Sequence, residues 1–106
     1  MKPMMDDREL VFLKLGGSLI TDKLTARTAH ADVLARLAGE ITAAISKKPG
    51  LRLVLGHGSG SFGHFAAKKH GTYDGVHSPA EWRGFAEVWK DARLLNQIVL
   101  EALLIA

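Results

Sequence analysis

Two glycine-rich turns constrain this chain more than anything else in it. Each begins where an apolar run stops: Leu10-Val-Phe-Leu-Lys-Leu15 leads into Gly16-Gly17-Ser18, and Leu51-Arg-Leu-Val-Leu55 leads into Gly56-His-Gly-Ser-Gly-Ser-Phe-Gly-His64. Such nearly continuous apolar runs are expected of strands covered on both faces. Between them Leu34, Leu37, Ala38, Ile41 and Ile45 recur at spacings of three and four, one helical stripe that ends at Lys47-Lys48-Pro49-Gly50. Strand, helix and strand in that order predict a right-handed crossover and parallel pairing. Both turns then leave the carboxyl edge of one sheet, where open α/β folds take their ligands. Glycine lets backbone N–H groups approach an anion, and a helix start behind each turn adds partial positive charge, so the pattern predicts two phosphate-handling turns side by side.

The remainder of the chain supports that edge. Phe65 to His70 reads as a short helix stopped by Gly71, and Thr72 to His77 as a polar loop. Ser78-Pro79-Ala80-Glu81 then opens a long helix, with serine as N-cap, proline at the first helical position and glutamate completing a capping box. Phe85, Val88, Ala92, Leu95, Val99 and Ala102 form one apolar stripe on it, and Trp82, Ala86 and Trp89 a second, which assigns both tryptophans to a core covered from two sides. Leu103-Leu-Ile-Ala106 carries no helix stop. The expectation is therefore the N-terminal part of a longer protein, unstable and inactive by itself.

Charge and composition exclude several classes. The net charge is +3, but the basic residues are dispersed, with Lys47-Lys48 and Lys68-Lys69 the only doublets and no aromatics interleaved. Solvated helix ends and a few anion-binding lysines explain this better than nucleic acid does. Without cysteine there is neither a disulfide framework nor a thiolate metal site. Met1 to Asp7 places acids where a secretory peptide needs an apolar core, so the chain reads as cytoplasmic, with no membrane segment. His57, His64, His70 and His77 lack the spacing of a helical metal site, so no metal ligand is assigned. His57 is assigned to turn structure, and His30, His70 and His77 to loops or surface.

The second turn invites two motif readings, and both fail on context. Gly58-Ser-Gly60-Ser-Phe-Gly63 has the spacing of a dinucleotide fingerprint, but Lys68 to Ser78 is polar where a second strand ending in an acid is required. His64-Phe65 stands where a Walker motif needs Lys-Ser/Thr. Taken together, Lys14-Leu-Gly-Gly-Ser18, Asp22-Lys23, and Gly56 to His64 followed by Ala66-Ala-Lys-Lys69 resemble the N-terminal half of the amino acid kinase superfamily, over nearly the whole chain from Leu10. The Lys-Gly-Gly turn marks the superfamily. The Ser61-Phe-Gly-His64 ending is most similar to isopentenyl phosphate kinases and the related fosfomycin kinases. Ser59 departs from the pattern, since many relatives carry glycine there, and a positive φ would strain a serine.

The resemblance implies a three-layer αβα sandwich with a mainly parallel open sheet, of which residues 1–106 are the N-terminal, phosphate-acceptor part. It implies transfer of the ATP γ-phosphoryl group to isopentenyl phosphate, with magnesium, in a full-length homodimer of isoprenoid metabolism. By motif match Lys14 contacts the transferring phosphoryl group, Leu15, Gly16, Gly17 and Ser18 cradle ATP phosphates, and Lys23 stabilises the transition state. Gly58 and Gly63 hold the acceptor phosphate, Ser59 approaches the nucleotide, and His64 bonds the acceptor phosphate. The long helix is similar to the one lining the prenyl-tail pocket, while the adenine pocket and magnesium-organising acids fall outside this chain. The chemistry suits these residues, because a phosphate monoester with a second pKa of about 6 is already a nucleophilic anion at neutral pH and needs no catalytic base. Two alternatives stay open: a sister kinase acting on fosfomycin or a carboxylate, and a non-catalytic nucleotide or oxyanion binder.

Overall fold

Strand β1 (Leu10–Leu15) pairs in parallel with β2 (Arg52–His57) in a computed structural model that describes residues 8–106. The register runs from Leu10 opposite Arg52 to Leu15 opposite His57, so the two glycine turns leave the sheet level with one another. The N-terminal stretch Met1 to Asp7 lies outside the described residues. A single helical turn α1 (Gly17–Ile20) follows β1, and the crossover helix is α2 (Ala31–Lys47). After β2 come a 3-10 turn (Gly60–Phe62), α3 (His64–His70), a second 3-10 turn (Thr72–Asp74) and α4 (Pro79–Ile105).

Local chemistry explains where these elements start and stop. Ser78 Oγ accepts the Glu81 N–H at 3.2 Å, as a capping serine should, while the Glu81 carboxylate reaches one residue beyond the N-cap to take the His77 N–H at 3.1 Å. Gly71 ends α3 at φ +65, the left-handed conformation that favours glycine at a helix stop. The first glycine turn differs from expectation. Only four residues of helix stand behind it before the chain turns at Thr21, so the charge offered to an anion comes from individual N–H groups and lysines rather than from a long aligned helix.

The core lies on one face of the sheet. Leu15, Ile20, Leu34, Phe62, Leu95 and Val99 are buried together, with Leu37, Leu55, Ile98 and Ala102 packed around them, so α2 and α4 cover the face that carries Leu15 and Leu55. On the other face Phe12 is 74% and Val54 47% exposed, and no described element covers them. The expectation of strands covered on both faces therefore holds for one face here. The shortest dimension, 18 Å, fits a sheet and one helix layer, and the third layer of the expected αβα sandwich is not among the described residues.

Helix α4 corrects a second expectation. Its buried stripe runs through Gly84, Asp91, Leu95 and Val99, with Val88 and Ala92 half-buried, whereas Phe85, Trp82 and Trp89 are exposed. Gly84 sets this rotation. A Cβ there would strike the His70 ring, so the absent side chain admits α3 and turns both tryptophans outward. Arg93 lies 4.8 Å from the Trp89 ring centroid, and Trp82 meets Phe85 edge to face. His70 also bonds the Glu87 carboxylate, which with Lys69 and Lys90 nearby holds Glu87 below the usual carboxylate range against a smaller effect of burial. His70 is thus a tie between α3 and α4 rather than a loose surface residue.

Candidate active site

The two turns meet backbone to backbone at the carboxyl edge. A Cβ on Gly17 would stand 2.5 Å from Gly60 N, and one on Gly58 would stand 2.8 Å from Gly17 N. No side chain fits between them, so these glycines serve mutual approach as well as any ligand. Gly58 N–H donates to the Leu15 carbonyl at 2.9 Å, and the Leu15 side chain is buried in the core, so Leu15 supports the turn from below. Gly16 differs: its built Cβ meets nothing within 4 Å, which leaves the outer side of the first turn open to an incoming group.

Beside this junction lies a cleft of about 450 Å³. Ser18 comes to it from the first turn, Lys23 and Leu24 from the loop behind α1, Ser59, Gly60 and Ser61 from the second turn, and His64 from the start of α3, with Tyr73 at the mouth. Ser18, Lys23, Ser59 and His64, singled out in the sequence, are thus brought around one space. Ser59 has φ −90 and ψ −19, an ordinary conformation, because the left-handed residue is the next one, Gly60 at φ +49. Serine in place of glycine is therefore unstrained here. Gly63 is buried, and a Cβ on it would meet Ser59 Oγ at 2.6 Å, so it seats the serine.

His64 is exposed, and its Nδ1 lies 3.3 Å from the Tyr73 hydroxyl. His57 takes the structural part expected of it, with Nδ1 2.9 Å from the Gly58 carbonyl and Nε2 3.0 Å from Asn96 Oδ1. Lys14 does not line the cleft. It is exposed on the uncovered sheet face, in a shallow depression with Phe12, Val54 and Gly56.

The sequence reading missed the residues that hold the lysine loop down. Thr21 is fully buried, and its hydroxyl joins Gly17 to Ser61. Arg27, at φ +49, donates its N–H to the Ser61 carbonyl at 3.1 Å and its guanidinium pairs with Asp91 at 3.6 Å. One signal was available for this pair: Asp91 falls three and four positions from Val88 and Leu95, an acid on an apolar stripe. The Asp91 side chain is 5% exposed and that of Arg27 53%, so the two partners are unequal. Arg27→Ala leaves a buried carboxylate alone and should lower stability by about 2 kcal/mol, while adding Asp91→Asn should return part of that loss. Denaturant unfolding of wild type, both single variants and the double variant measures the coupling; strictly additive effects would show that the pair does not couple.

A profile of the amino acid kinase family matches residues 9–106. This chain belongs to that family. Amino acid kinases with similar sequences include the isopentenyl phosphate kinase of Methanocaldococcus jannaschii, 37% identical over an alignment 101 positions long that covers 89% of this chain and 38% of that protein. The isopentenyl phosphate kinase of Thermoplasma acidophilum is 35% identical over 95 residues, covering 90% of this chain and 36% of its own length. A crystal structure of the T. acidophilum isopentenyl phosphate kinase product complex superposes with a TM-score of 0.75 at 33% identity, over 90% of this chain and 38% of that one. The α/β fold with a parallel open sheet is thus the amino acid kinase fold, and this amino acid kinase chain spans well under half the length of these relatives.

Proposed function

We propose that the chain is the phosphate-acceptor part of a longer amino acid kinase domain that transfers the γ-phosphoryl group of ATP to isopentenyl phosphate, giving isopentenyl diphosphate. The observation that carries the reading is the convergence of Ser18, Lys23, Ser59 and His64 on one cleft beside two abutting glycine turns. Relatives that match nine-tenths of the chain bear the name isopentenyl phosphate kinase, which supports this acceptor over others. Both reactants are anions, so the site's task is to neutralise repulsion and hold oxygen, phosphorus and leaving group in line.

In this reading the open side of the first turn, at Gly16, Gly17 and Ser18, takes the ATP phosphates, and Lys14 reaches the transferring group from the sheet. Lys23 faces the charge that shifts to the bridging oxygens in the transition state. Gly58, Gly63 and His64 hold the acceptor phosphate, whose own oxygen attacks without a base. Among the described residues no three histidine or carboxylate side chains converge as a cation site, and no step is assigned through magnesium. No described helix is long and apolar enough to cross a membrane.

The test is a substrate panel on the full-length protein. Isopentenyl phosphate should turn over, while fosfomycin, acetate and other carboxylates should not; preference for any of the latter would replace the proposed acceptor, and nucleotide binding without transfer would replace the enzyme by a binder. His64→Ala should raise the KM for the monophosphate roughly thirtyfold, the value of about 2 kcal/mol for a hydrogen bond to a charged group, with little change for ATP. His64→Gln retains a donor and should recover part of it. Selective damage to ATP affinity would assign the second turn to the other reactant.

A further inference from the structure

The buried Thr21 hydroxyl, donating to one glycine turn and accepting from the other, is a side-chain bridge from which the spacing of two reactants could be set. Its Oγ1 donates to the Gly17 carbonyl at 2.6 Å and accepts the Ser61 N–H at 3.1 Å, which uses the hydroxyl as donor and acceptor at once. Gly17 keeps a second partner, the Thr21 N–H at 3.0 Å. Ser61 continues the link on its other side, where its Oγ lies 3.4 Å from both the N–H and the carbonyl oxygen of Thr28, and Asp22 N–H bonds the Thr28 carbonyl at 2.9 Å. Lys23 follows Asp22 directly. The first turn, the lysine loop and the second turn are therefore one hydrogen-bonded unit with Thr21 at its centre.

We infer that Thr21 is a positioning residue for phosphoryl transfer: its hydroxyl fixes the distance between the ATP-side turn and the acceptor-side turn and, through Ser61 and Thr28, the height of Lys23 over the cleft. The inference rests on the function proposed above. Thr21 touches neither reactant, since it is fully buried behind the turns. Valine in its place keeps shape and β-branching but strands the Ser61 N–H, whose residue is 2% exposed, so the second turn must move to find another acceptor. A displacement on the order of 1 Å between reacting groups costs about a hundredfold in rate.

Thr21→Val and Thr21→Ser in the full-length protein test this. Thr21→Val should reduce kcat per folded molecule by roughly thirty- to a hundredfold while the Kd for ATP and the KM for isopentenyl phosphate stay within about threefold, because each turn remains intact by itself. Thr21→Ser should lie within about threefold of wild type. A Thr21→Val protein with wild-type kcat per folded molecule, or with activity lost only in step with its folded fraction, overturns the assignment. Should Thr21→Val fail to fold, Ser61→Ala frees the lysine loop without touching the Thr21 bridge and should lower kcat about tenfold at unchanged ATP affinity; unchanged kcat there overturns it equally. A wild-type protein that transfers phosphate to no acceptor would instead sink the proposed function, and the positioning role with it.

Discussion

Lys14→Ala in the full-length protein should lose about two orders of magnitude in kcat, on the order of 3 kcal/mol of transition-state stabilisation, while its affinity for ATP changes little. Lys14 is exposed at the end of β1, level with Gly56 and two residues before the open Gly16. A cation placed there adds to ground-state binding only weakly in water, yet acts on charge that moves during transfer once the site is closed over. Steady-state kinetics against both substrates make the check. Normal turnover would remove Lys14 from the site and leave Lys23, the lysine that does line the cleft, as its principal cation.

Gly17→Ala should lose about 3 kcal/mol in stability, because its methyl would meet Gly60 N and Cα at 2.5 and 2.8 Å and backbone cannot rotate away. Gly16→Ala is the matched control. That residue has φ −63 and open space around its built Cβ, so its stability should stay within about 0.5 kcal/mol of wild type. Denaturant midpoints of the two variants separate the roles: a stable Gly17→Ala protein would refute the abutting turns, and any activity lost by a stable Gly16→Ala protein reports on anion approach.

Much of this was legible because the signals were local. Apolar runs of strand type on either side of one helical stripe specify parallel pairing, and the pairing places both turns at one edge whatever the loops do. Ser78 and Glu81 announced α4 in the same way. The tryptophans were not legible, since which side of α4 faces inward is decided by His70 coming to rest on Gly84, a contact between residues of different helices. The Thr21 bridge and the Arg27–Asp91 pair escaped for the same reason: a threonine after an isoleucine looks like any strand or cap residue until the second turn is laid against it. Lys14 and Lys23 were both expected at the reacting phosphoryl group, yet strand alternation sends Lys14 to the sheet face and the loop sends Lys23 to the cleft.

The placing of the left-handed residue at Gly60 rather than at Ser59 separates what can vary from what cannot. Position 59 has an unstrained backbone and a side chain on the cleft wall, so evolution or an engineer can exchange that side chain and alter what the ligand meets without bending the turn. Position 60 has no such freedom, because any side chain there faces both an unfavourable φ and the hydroxyl of Thr21. Adaptation to a new acceptor therefore has an entry point one residue away from a position that must remain glycine.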